Sequence, residues 1–233
     1  MHRTHSTNTP ATTAAHKYDE SLHYPPPWDL AGEGYIFPVL ADRAYNLKHG
    51  FIADEDRDVY KGGLGAWMLV NYASSNVGPY FELLYMPGNF EYRGKKYKRV
   101  TKIYVSSELS VREGIRNWAV PKEHADFLWQ TDGAATHVEA SIGGKTFFSL
   151  DLSKRFISFP VLSALVPFVM LQKGPDSYIR TPLKGKGKGR VAKLANLKVD
   201  ETYFPDVSKA GGLSTGVGVD PFRLDFPIPT HLR

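Results

Sequence analysis

Apolar runs of strand length, separated by glycine- and proline-marked turns, recur along most of the chain. "AWMLVNYAS" (66–74) and "YFELLYM" (80–86) are two such runs, joined by the turn "SNVGP". "RGKKYKRVTKIYVS" (93–106) alternates in its second half, with Val100, Lys102 and Tyr104 on one face and Thr101, Ile103 and Val105 on the other. "THVEASIGGKTFFSLDL" (136–152) is the clearest hairpin, because Gly143-Gly144 suits the positive φ angles of a two-residue turn. "GRVAKLANLKVDE" (189–201) reads as a further strand, and "HYPPPWDLAGEGYIFP" (23–38) as a rigid extended entry anchored by Trp28. Helical patterns are fewer. "SVREGIRNW" (110–118) opens with Ser110 and Glu113 in capping-box spacing and should stop before Pro121. A second short helix is expected within 160–172. The pattern predicts a mainly β (α+β) fold: a large antiparallel curved sheet, β-cone or barrel with a few short helices.

At 233 residues, 42% hydrophobic and 13% aromatic, the chain can bury a sizeable core in one domain, expected over 21–233. Residues 1–20, rich in Ser and Thr and poor in large apolar groups, read as a disordered tail without the apolar core of a secretory signal. The longest apolar stretch, "FISFPVLSALVPFVMLQ" (156–172), is too short and proline-interrupted to span a bilayer. The absence of cysteine excludes disulfides, thiolate metal sites and a Cys nucleophile. It fits a reducing compartment, and a cytoplasmic location is expected. The net charge of +5 is concentrated in "RGKKYKR" (93–99) and "KGKGKGR" (184–190). The second run, alternating Lys with Gly, reads as a mobile solvated loop. No helix-turn-helix, zinc finger or aromatic RNA-binding signature accompanies it, so neither nucleic acid nor membrane is an expected partner.

No G-x-S-x-G elbow, P-loop, H-E-x-x-H or strand-flanked G-x-G-x-x-G is present. The eight histidines show no metal-ligand spacing; His2, His5 and His16 lie in the tail, and His137 sits on a predicted strand in a structural role. No cofactor or metal is expected. Two residues remain. Lys122, in "WAVPKEHADF" (118–127), follows a helix-breaking proline between apolar residues. It is either a solvated turn lysine or an ammonium held partly out of water. Glu82, in "VGPYFELLYMP", is either an edge-strand carboxylate facing water beside Tyr80 and Leu84 or a buried one needing a partner.

Together, "GPYFE", then "IYVSSE", then G-x-x-x-W-x-x-P-K resemble the acetoacetate decarboxylase family, from about "PPPW" at 25 to past Phe148. The family's Gly-Arg-Glu-x-x-Gly-x-Pro-Lys-Lys segment carries its nucleophile on the first lysine, which falls on Lys122. Its G-x-Y-x-E acid falls on Glu82. The resemblance implies a Schiff-base lyase acting on a small keto acid. Decarboxylation is its simplest reaction, and aldolase or dehydratase chemistry runs through the same iminium; a non-catalytic, keto-ligand-binding relative is the alternative. It also implies a homo-oligomer. The amine must be neutral to attack, so burial among Trp118, Val120, Phe127 and Trp129 is expected to lower its pKa. Arg116, Trp118, Trp67 and Tyr80 are the expected substrate-binding residues. Arg116, like Arg112, lies on a predicted exposed helix, where a salt bridge is the plainer role. The chain departs from the family in three places. The second lysine is Glu123, the Arg-Glu pair is Ile115-Arg116, and Trp67 stands where a second acidic residue is carried.

Overall fold

The computed structural model describes residues 18, 19, 21–162 and 168–233. Among them fifteen strands join one open sheet. They are β1 (Trp28–Leu40), β2 (Tyr60–Gly62), β3 (Leu64–Ser74), β4 (Tyr80–Met86), β5 (Asn89–Tyr92), β6 (Lys95–Lys98), β7 (Lys102–Val105) and β8 (Lys122–His124). Then follow β9 (Asp126–Asp132), β10 (Ala135–Ile142), β11 (Lys145–Leu162), β12 (Phe168–Lys173), β13 (Tyr178–Val199), β14 (Thr215–Phe226) and β15 (Thr230–Leu232). Two α-helices, α1 (Arg43–His49) and α2 (Glu108–Trp118), complete the regular structure together with a single 3-10 turn.

The main path runs β2-β5-β6-β12-β13-β14-β1-β3-β4-β7-β8, and β11, β10 and β9 extend in turn from β13. The fold is mainly β, as the pattern predicts. The sheet is mixed rather than wholly antiparallel, because β7 and β8 pair in parallel and β6 meets β12 in parallel. A parallel pair needs a crossover, and α2 supplies it between β7 and β8. The β10–β11 hairpin turns at Gly143 and Gly144, with φ of 57° and 78°. Every residue of β4 is buried, since the sheet is covered on both faces there.

The two faces carry separate cores. Tyr35, Phe37, Trp67, Leu69 and Phe81 pack with Phe147, Phe148 and Leu150 on one side. Val70, Tyr72, Tyr80 and Leu84 pack with Ile103, Leu109, Trp118 and Val120 on the other. Strand alternation enforces this split. Trp28 anchors the entry as expected, its ring 4.9 Å from that of Trp118. The preceding segment is fixed to α2, where Glu113 accepts from Tyr24 N at 3.1 Å and Asn117 Nδ2 donates to Tyr24 O at 2.8 Å.

Several expectations change. Helix α2 is capped by Ser107, whose side chain accepts from Ser110 N, so Ser110 and Glu113 are released from the predicted capping box for tertiary contacts. The "KGKGKGR" run is no loop but the middle of β13. Its Lys-Gly alternation is a strand period. A Cβ on Gly187 would lie 2.5 Å from Val219 Cγ1, and one on Gly189 2.6 Å from Val161 Cγ2, so the glycines make the close-packed face while Lys184, Lys186 and Lys188 are exposed. Of the segment expected to hold a second helix, residues 160–162 end β11 and 168–172 lie in β12; residues 163–167 fall outside the described residues. Most of the expected tail, residues 1–17 and 20, also falls outside them, although Tyr18 packs 6.4 Å from the Tyr24 ring. Among the described residues no helix is long and apolar enough to cross a membrane.

Trp67 is wholly buried and stacked on Phe37 at 4.5 Å. Trp67→Ala should therefore cost about 3–5 kcal/mol of stability, read from the urea midpoint. A loss below about 1 kcal/mol would contradict this core position.

Candidate active site

Lys122 opens β8 directly after the turn that ends α2. Ala119 takes a left-handed backbone (φ 52°) at the helix end, and Pro121 prevents its continuation. The parallel register sets Lys122 beside Ile103 of β7. Its aliphatic stem then lies against α2 at Gly114, where a Cβ would stand 2.6 Å from Lys122 Cδ and 2.9 Å from Cε. Glycine is required there because the lysine occupies that space.

The ammonium donates to Glu82 Oε2 at 3.0 Å and to Ser110 Oγ at 3.0 Å, and it lies 5.0 Å from the centre of the Tyr80 ring. Glu82 Oε1 accepts from the Tyr72 hydroxyl at 3.2 Å. Antiparallel register explains the convergence: Val70 stands opposite Glu82 and Tyr72 opposite Tyr80, so Tyr72, Tyr80 and Glu82 share a face. Glu82 is 4% exposed and Lys122 9%. Of the two readings open for each, the structure selects the buried one, and Glu82 lies on an interior strand between β3 and β7.

Burial is the strongest influence on Lys122 and favours the neutral amine. Tyr80 and Glu82 together outweigh it, and the lysine pKa is raised above 10.5. This corrects the expectation of a lowered value: the ammonium is out of water but keeps its counter-ion. Burial also raises both tyrosines, Tyr80 to about 12 and Tyr72 well above 10. Both are neutral hydroxyls at neutral pH.

The remaining expected site residues fare unequally. Tyr80 is in place. Trp118 shares the apolar cluster but is committed to packing, 4.6 Å from Phe226, with Nε1 donating to Pro227 O at 3.0 Å. Trp67 projects from the opposite face of the sheet, because the site takes even-numbered positions of β3. Phe127 and Trp129 belong to that far core as well, packed on Phe81. Arg116 is exposed on the face of α2 opposite Ser110 and Gly114. Arg112 is turned to Glu113 Oε1 at 2.8 Å and to Leu22 O at 2.6 Å. Glu123 faces away from Lys122, as neighbours on a strand do, and pairs with Lys102 at 2.5 Å. Ser110, Tyr72 and Gly114 were not anticipated. The first and last are small residues four apart on one helix face, and Tyr72 mirrors Tyr80 across the turn.

The fold is similar to that of solved acetoacetate decarboxylases. One, from Legionella pneumophila subsp. pneumophila str. Philadelphia 1, aligns over 90% of this chain and 88% of its own at a TM-score of 0.63 and 12% identity. Another acetoacetate decarboxylase aligns over 90% and 91% at 0.67 and 11% identity. The enduracididine biosynthesis enzyme MppR, in its pyruvate complex, aligns over 91% and 92% at 0.60 and 15% identity. MppR is also solved with the condensation product of pyruvate and imidazole 4-carboxaldehyde. No protein-family model matches the sequence, and no curated protein is significantly similar to it.

A lysine whose folded pKa is raised contributes stability that is complete below its unfolded value and lost as pH rises through the folded one. The stabilisation from Lys122 should thus be flat through neutrality and fall only above about pH 10.5. In Glu82→Gln the carboxylate no longer offsets burial, and the Lys122 pKa should drop below that of an ordinary lysine. Competitive acylation read by peptide mass spectrometry across pH should show Lys122 reacting at lower pH in Glu82→Gln than in wild type. Identical profiles would remove Glu82 from control of the amine.

Proposed function

We propose that the protein is a Schiff-base-forming lyase acting on a small keto acid, with Lys122 as nucleophile and Glu82 as its proton partner. The observation that carries this reading is the buried Lys122–Glu82 contact of 3.0 Å, with Ser110 on the same nitrogen. The likeness of fold to MppR, which holds pyruvate, supports the substrate class.

At rest the pair is ammonium and carboxylate. Transfer of one proton from Nζ to Glu82 Oε2 leaves a neutral amine facing a neutral acid, which needs no neighbouring cation. The amine attacks the substrate carbonyl carbon, and the carbonyl oxygen takes the proton back from Glu82. The carbinolamine nitrogen then gives up a second proton, the oxygen leaves as water, and the C=N bond forms. Of the three ammonium protons, two depart in water and one stays on the iminium. The positive charge ends where it began, beside the Glu82 carboxylate, so the pair that held the ammonium also holds the intermediate. The iminium then accepts the electrons of an adjacent breaking bond. Loss of CO2 from a β-keto acid is the simplest case. The resulting enamine is protonated on carbon, and water releases the product and regenerates the lysine. Aldol-type cleavage and dehydration share the same iminium. In this reading Tyr80 and Ser110, which flank Lys122 Nζ, orient the carbonyl oxygen, and Tyr72 holds the Glu82 carboxylate.

Borohydride reduction in the presence of acetoacetate, then pyruvate, tests the proposal. A ligand-sized mass gain is expected on the Lys122 peptide and should be absent in Lys122→Ala. Trapping in Glu82→Gln should be slower by about 10²–10⁴-fold, the scale of a lost general acid–base. Adducts spread over surface lysines and unchanged in Lys122→Ala would sink the proposal. A complete lack of adduct would leave the keto-ligand-binding alternative in its place.

A further inference from the structure

The basic run 93–99, which the proposed active site does not use, forms the outer part of the β5–β6 hairpin. An open cleft of about 680 Å³ lies between this hairpin and β12, β13 and β15, within the ~300–1,000 Å³ typical of small-ligand sites. Lys95, Lys96, Lys98 and Arg180 line it, and none of the described lining residues is a carboxylate. Among the described residues none of the four cations is paired with an acid. Glu91 stands across from Lys96 in the ladder, but its carboxylate lies 3.9 Å from Lys61 Nζ.

Lys98 is the best-positioned of the four. Its Nζ donates to Asn89 Oδ1 at 2.9 Å and to the Leu64 carbonyl oxygen. Both acceptors are neutral, and a lysine has three donors, so one N–H remains for a ligand. Partial burial without a counter-ion holds its pKa below the ordinary lysine value; an arriving anion would reverse that cost. The backbone adds donors. Among the described residues strand β6 meets β12 at Lys98 and Met170, and no ladder partner stands on its outer edge over residues 95–97.

We propose that this cleft binds a small polyanion of the phosphate-ester class through Lys95, Lys96, Lys98 and Arg180. Four cations lining one cleft exceed what one carboxylate can neutralise, and a guanidinium with ammonium groups suits the several oxygens of a phosphate. The ligand is compact, because the elongated basic row Lys184, Lys186 and Lys188 lies on β13 outside the cleft lining.

Titration calorimetry of the full chain with pyrophosphate tests the site. Saturable 1:1 binding is expected, weakened at least about tenfold in Lys98→Met/Arg180→Met, as the loss of two charge-assisted contacts implies. Lys95→Gln/Lys96→Gln, at exposed hairpin positions, should weaken it in the same direction and decides the matter if the first variant does not fold. Lys184→Gln/Lys186→Gln should leave the affinity unchanged. Absence of saturable heat at ~10 mM pyrophosphate, an affinity too weak for a built site, would overturn the proposal. An equal loss in the Lys184/Lys186 pair would also overturn it, by reducing the effect to diffuse surface charge.

Discussion

An ammonium taken out of water must keep a counter-ion or lose its charge, and this constraint organises the region around Lys122. Desolvating both members of an ion pair costs several kcal/mol per ion, which their attraction offsets only with good geometry and further hydrogen bonds. Four elements meet that demand. Strand β4 brings Glu82, β3 brings the Tyr72 hydroxyl to its second oxygen, α2 brings Ser110, and β8 brings the lysine. The β7–α2–β8 crossover brings the serine hydroxyl onto the lysine nitrogen, and the bare backbone at Gly114 lets the stem pass. A buried pair of this kind is weak evidence of stability for its own sake. Its place amid an aromatic core is the observation on which the proposed chemistry rests.

The same constraint alters how the amine is activated. A neighbouring cation would lower a lysine pKa directly, but the adjacent position here is Glu123, which strand alternation turns outward to Lys102. Activation by proton transfer within the pair needs no such cation. In the proposed mechanism it also keeps the net charge around the pair constant from ammonium to iminium, so the surrounding apolar residues never face an uncompensated charge.

Much of the fold was legible from local chemistry. The Gly143-Gly144 hairpin, the paired runs 66–74 and 80–86, and the helix stop before Pro121 all follow from turn residues and period. What escaped depended on distant partners. The Lys-Gly alternation of 184–190 looks solvated until Val219, Val161 and Phe159 are set against its glycines. Ser110 looks like a cap until Ser107, three residues earlier, is seen to hold that role. The parallel β7–β8 pairing is invisible to a two-residue period, which records facing but not direction.

The buried Lys122–Glu82 contact was legible in its two charged members, and the residues around it were misread. Lys122 and Glu82 stand out by residue type, since an ammonium and a carboxylate among apolar residues each need a partner. The walls are fixed by parity across β3 and β4, where even positions of both strands face the pair and odd positions face the other core. Reading back from Glu82 along the chain reaches Trp67, an odd position, and so crosses the sheet into the other core. Reading across the ladder reaches Val70, and two residue pairs further Tyr72 beside Tyr80. An ungapped correspondence along a chain therefore preserves a nucleophile but not its surroundings. For the proposed reaction, the positions able to set substrate choice are those on the even face of β3 and on the Ser110–Gly114 stripe of α2.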